Sequence, residues 1–144
     1  MTNNKFINIG LVIIVVIVTA CLFNYNTYSK KELKKYLPGK YLYTFPSGET
    51  SILMINSDFT FNNKVYSKDK KQVLYKTNGT IEPEDGRKMI FYNFLLFSDH
   101  NESDMVFSKP DIGASTAYWE KPEDSKGVLE IEFNVYNYIF TKIE

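Results

Sequence analysis

The sequence predicts an all-β fold: an eight-stranded antiparallel meander barrel, preceded by a short amphipathic helix and an apolar leader. Three observations lead there. From Lys40 onward, strand-sized runs recur at short, regular spacing between turn dipeptides and polar clusters, the punctuation of an all-β domain. A helical period of 3.6 residues is almost absent after Leu37. Residues 128–133 alternate without a break, Leu129, Ile131 and Phe133 against Glu130 and Glu132, so one sheet face is buried and the other wet. A chain of 144 residues that is 44% hydrophobic is long enough for one such domain and too apolar for disorder. Closing the meander removes the exposed edges of a flat sheet. Eight strands leave an interior that side chains fill or that holds one small ligand.

The first element is the leader, residues 1–20. Met1–Lys5 is polar with one side-chain cation, and no charged residue occurs between Phe6 and Phe23. A charged start, an apolar middle and small residues at its end are the parts of a secretory signal. Val18-Thr19-Ala20-Cys21 resembles the lipobox of bacterial lipoproteins: an aliphatic residue, a small or β-branched one, a small one, then Cys. The resemblance places the chain's sole Cys at the one position the pathway uses. It implies that Cys21 is alkylated with diacylglycerol, that the chain is cut just before it, and that the new amine is often acylated. Leu22 following the Cys, rather than Asp, implies outer-membrane sorting where a cell has two membranes. The competing expectation is an uncut N-terminal membrane anchor. Eighteen uncharged residues span about 27 Å as a helix. Lys30, Lys31, Lys34 and Lys35 follow the run, a cluster that the positive-inside bias would hold in the cytoplasm.

Residues 21–28 read as a tether and residues 29–144 as the barrel domain with its leading helix at 29–37. Ser29 and Glu32 have capping-box spacing. Leu33, Tyr36 and Leu37 form one apolar stripe, and Pro38-Gly39 ends it. Strands are then expected over Lys40–Phe45, Thr50–Ile55, Phe59–Tyr66, Lys71–Thr77, Lys88–Phe97, Ile112–Glu120, Val128–Phe133 and Tyr136–Ile143. The breaks fall at Pro46-Ser47-Gly48, Asn56-Ser57-Asp58, Ser67–Lys70, Asn78-Gly79 and Pro83–Gly86. Asn78-Gly79 is the strongest turn dipeptide of these, because both residues accept positive φ.

Gly39-Lys40-Tyr41, the run Leu53–Phe61 containing Asp58-Phe59-Thr60-Phe61, Asn78-Gly79-Thr80 and Met89-Ile90-Phe91 resemble the pattern of small bacterial lipocalin-like domains. The likeness covers roughly residues 39–95. It implies that the Asp58 turn joins the second and third strands and that Gly79-Thr80 starts a strand crossing the barrel. Ile81 stands where that family commonly has Trp. The architecture hosts carriers, inhibitors and structural modules alike.

Chemistry is sparse. One His and one Cys leave no multi-His or Cys-rich metal site and no intramolecular disulfide. Asp99, His100, Glu102 and Asp104 share a polar loop without the spacing or the Gly of a calcium loop. No nucleophile elbow or phosphate-binding Gly-rich loop is present. The expectation is a protein that is not an enzyme and carries no cofactor or metal. Eleven Tyr and eleven Phe exceed what a small core requires. They read as core with cross-strand ladders or as a recognition surface made by Phe91, Tyr92, Phe94, Phe97 and Trp119.

Formal neutrality argues against nucleic-acid binding, yet charge is unevenly spread. Residues 21–80 hold ten Lys and four acids, whereas residues 81–144 hold six basic and thirteen acidic residues. In a meander those halves form facing walls, a basic one suited to an anionic membrane and an acidic one facing outward. The expectation is a non-enzymatic binding lipoprotein anchored by lipid in the bacterial envelope, facing periplasm or exterior. Its partner is a protein, with an immunity or inhibitor role against a cationic toxin or cell-wall hydrolase. The rival expectation is a lipocalin-like carrier holding a small apolar ligand.

Overall fold

In the computed structural model, described over residues 12–19, 32–84, 87–97, 109–120, 128–133 and 138–144, two short helices accompany eight strands. The strands are β1 (Gly39–Thr44), β2 (Thr50–Ile55), β3 (Thr60–Tyr66), β4 (Val73–Pro83), β5 (Lys88–Leu96), β6 (Asp111–Glu120), β7 (Glu130–Phe133) and β8 (Tyr138–Lys142). Each pairs antiparallel with its sequence neighbour, and β8 returns to β1 through Tyr41–Lys142 and Leu42–Thr141, closing the barrel. The all-β meander barrel read from the sequence is therefore the observed fold.

Alternation sets what points inward. Leu53 and Ile55 on β2, Phe61 and Val65 on β3, Ala117 and Trp119 on β6, and Ile131 and Phe133 on β7 are buried, while their chain neighbours face out. The turns are held by short polar side chains. Thr60 donates its backbone N–H to Asp58 Oδ1 at 3.0 Å, and Lys71 donates its own to Asp69 Oδ1 at 3.1 Å. These are Asx-type turns, in which a carboxylate replaces a backbone acceptor. Phe59 and Lys70 take the left-handed conformation there, with φ of 63° and 59°. The third strand consequently begins at Thr60, one residue later than expected.

One expected break is overturned. Asn78-Gly79 is no turn; it lies in the middle of β4, where Asn78 pairs with Asn62 and Gly79 with Phe61. The glycine is needed for lack of a side chain rather than for φ. A Cβ at residue 79 would collide with the Tyr92 carbonyl oxygen and would lie 2.7 Å from the Phe61 ring. Gly in a strand interior often marks such a close approach. Next to it β5 carries a bulge between Phe91 and Phe94, with Asn93 at φ 64°.

The helix at 32–36 plugs one barrel end. Leu33 and Leu37 are wholly buried, and the Tyr41 hydroxyl donates to the Leu37 carbonyl at 2.6 Å. Lys142, at the end of β8, donates to the carbonyls of Tyr36 and Pro38 at 2.6 and 2.7 Å. A cation at the helix C-terminus satisfies acceptors that the helix cannot pair itself. The opening residues expected for this helix, Ser29 to Lys31, lie outside the described residues.

Candidate functional site

The interior comes first, because a carrier would need it open. Phe91, Phe94, Phe133 and Phe140 are buried along the barrel axis. Phe94 stacks on Phe133 with centroids 4.3 Å apart, and Phe133 meets Phe91 at 4.9 Å and Phe140 at 5.6 Å. Toward the end opposite the helix, Phe45 packs edge-on against Phe97 and Tyr43, both at 4.9 Å. These distances are those of aromatic rings in contact. The polar interior is small: Ser51 donates to Asn63 Oδ1 at 2.7 Å, Thr77 donates to the Asn93 carbonyl at 2.8 Å, and Ser115 Oγ has no partner among the described residues.

This geometry corrects the expected aromatic recognition surface. Phe91, Phe94, Phe97 and Trp119 are core residues, each at most 6% exposed. Strict alternation would put Phe91 and Phe94 on opposite faces; the bulge between them resets the parity and turns both inward. Tyr92 alone of the five faces solvent, and its hydroxyl donates to Glu82 Oε2 at 2.8 Å. That bond holds the Tyr92 phenol above its ordinary pKa.

In the apolar N-terminal run, Val18 and Thr19 belong to a helix at 12–19 whose side chains are exposed. The Thr19 hydroxyl donates to the Val15 carbonyl at 2.8 Å. Ala20 and Cys21 lie outside the described residues, as do the segment expected as a tether and the loop bearing Asp99, His100, Glu102 and Asp104. No described helix is long and apolar enough to cross a membrane, and no described group of His, Cys, Asp or Glu could hold a metal ion.

What the strands do assemble on the outside is charge. On β6 and β7, Glu120 stands directly opposite Glu130, with Glu132 two residues further along β7. Like charges facing each other across a strand pair are destabilising, and no described cation pairs with either. Three strands away around the ring, Lys64 of β3 stands directly opposite Lys76 of β4, again with no described carboxylate paired to them. The barrel thus carries an acidic and a basic wall. Register gives the sequence-level charge division its positions, which no local motif marked.

A shallow open depression of about 270 Å³ lies in the outer wall of β1–β3, lined by Leu42, Thr50, Ile52, Tyr66 and Lys70. Compared with protein families, curated proteins and solved structures, the chain matches none.

Proposed function

We propose that this chain is a membrane-tethered, non-enzymatic lipoprotein of the bacterial envelope, and that its barrel captures a cationic protein on the acidic wall. The observation carrying the reading is the Glu120–Glu130 cross-strand pair beside Glu132. Natural sheets disfavour such a pair, and a cationic partner converts its repulsion into attraction. Electrostatic complementarity of this kind speeds encounter and selects partners. A toxin or cell-wall hydrolase is the concrete version, and the chain's role is then immunity or inhibition. The tether part rests on the lipobox-like Val18-Thr19-Ala20-Cys21. The packed rings along the axis favour protein binding over carriage, since a carrier keeps about 300 Å³ or more open for its ligand.

The test is capture from envelope and secreted fractions by the full chain, compared with a Glu120→Gln, Glu130→Gln, Glu132→Gln variant. A basic protein retained by the parent chain, released by salt and absent from the variant, is the expected result. Equal capture by both chains would overturn the acidic-wall reading. A small apolar molecule co-purifying with both would favour the carrier instead.

A further inference from the structure

We propose that the basic wall of β1–β4 is a docking surface for an anionic phospholipid bilayer. One rank of outward residues crosses four strands as Leu42, Ile52, Lys64 and Lys76, each directly paired with the next. Two ammonium groups therefore stand side by side next to two aliphatic side chains. Lys70 and Lys71 extend the charge through the β3–β4 turn, where the single carboxylate, Asp69, is engaged by the Ser67 hydroxyl at 2.6 Å and the Lys71 amide. The other acid at this end, Glu49, is only 6% exposed and accepts from the Ser47 hydroxyl. Met54, Val73 and Leu74 are exposed on the same strands, at 45%, 48% and 38%. The open depression between Leu42, Ile52 and Tyr66 has an apolar floor with Lys70 at its rim.

Lysine interleaved with exposed aliphatic surface is the composition of an interfacial face. Ammonium groups meet headgroup phosphates while apolar side chains enter the boundary with the acyl chains. The chain's lone arginine, Arg87, lies outside this wall, so the planar bidentate grip typical of specific phosphate or nucleic-acid recognition is missing. A fluid layer of negative charge needs no such grip. Docking this wall on a bilayer also turns the acidic wall away from the membrane's own negative charge. The proposal rests on the tethered reading for the nearness of a bilayer, but not for the docking itself.

The experiment uses the full chain, reconstituted into vesicles of phosphatidylcholine alone or mixed with phosphatidylglycerol. Lysine acetylation by a water-soluble ester is followed site by site by mass spectrometry. Lys64, Lys70, Lys71 and Lys76 should react roughly five-fold more slowly on the anionic vesicles, and high salt should abolish the difference. Lys88, at the start of β5 and paired with Glu84 at 2.5 Å, should react alike on both. A Lys64→Gln, Lys76→Gln variant should lose the protection at Lys70 and Lys71. Equal rates on both vesicles, or protection that includes Lys88, would overturn the proposal. So would protection by added duplex DNA without protection by the anionic vesicles. Flotation with neutral vesicles reports the tether separately. A chain that floats there yet keeps reactive wall lysines on anionic vesicles refutes docking alone. A chain that fails to float there but is protected on anionic vesicles refutes the tether alone.

Discussion

Replacing Gly79 by Ala tests the middle of the barrel with a single carbon atom. An added Cβ meets the Tyr92 carbonyl oxygen, which is backbone and cannot swing aside, and the Phe61 ring at 2.7 Å. Room exists only if β4 and β5 separate where the Thr77 hydroxyl reaches the Asn93 carbonyl, or if Phe61 leaves Phe91, whose centroid is 5.3 Å away. Overpacking of this kind costs about 1–3 kcal/mol. Loss of the hydrogen bond or the ring contact adds roughly 1 kcal/mol. Against this stand about 0.4–1 kcal/mol from restricting the unfolded chain and about 0.8 kcal/mol from burying the methyl group. Because one of the two neighbours is backbone, the upper end of the overpacking range applies. The net loss is then about 2.5 kcal/mol, or a fall of roughly 10 °C in the melting temperature. Urea and thermal unfolding of both chains measure it. A change below about 0.5 kcal/mol, typical of exposed positions, would refute the continuous β4 and the close approach of Tyr92 and Phe61 to residue 79.

Ser115→Ala should leave stability unchanged or raise it by up to about 1 kcal/mol, since it removes a buried hydroxyl that has no partner among the described residues; a clear loss in urea unfolding would show that the hydroxyl has a partner. Glu120→Gln and Lys76→Gln should each stabilise the barrel by roughly 0.2–0.5 kcal/mol at low salt, by removing a facing like charge. High salt should erase both gains, and destabilisation by either would mean that the charge is compensated. The Thr60 hydroxyl first, then its amide, holds the Asp58 carboxyl below its ordinary pKa, and the Ser67 hydroxyl and Lys71 amide do the same for Asp69. Their contribution is present above the unfolded-state values and is lost as pH falls through the lower folded-state values, from about pH 4 downward. A pH series of unfolding midpoints should therefore be shallower in the acid limb for Asp58→Asn, Asp69→Asn than for the parent; equal slopes would refute the two turns.

The strands were legible because each carries its own evidence. Val128 to Phe133 shows the alternation of a half-buried sheet, and Thr50–Ile55 lies between two recognisable turns, so its expected and observed limits coincide. Asn78-Gly79 misled because its dipeptide preference is local, whereas the need for a missing side chain comes from Phe61 and Tyr92, distant in sequence. The aromatic residues of β5 misled for a related reason. One extra residue at Asn93 brings Phe94 to the same face as Phe91, and periodicity cannot reveal a bulge beforehand. Charge went the other way: the division between the halves was visible in composition, while the facing pairs Glu120–Glu130 and Lys64–Lys76 required the register. Val18-Thr19-Ala20-Cys21 resembles a lipobox letter by letter, and the processing proposed from it would be an enzymatic step, which folding physics does not record.

The proposed function turns on the tether, which would bring the chain to the bilayer in the first place. The direct measurement is intact mass together with labelled-palmitate uptake, made on the parent chain and on Cys21→Ser expressed in bacteria. The parent chain should lose residues 1–20, take up label and partition into membranes. Cys21→Ser should do neither of the first two and remain an uncut precursor. A parent chain that keeps Met1 and carries no acyl group would contradict the lipoprotein reading and leave an uncut apolar anchor in its place.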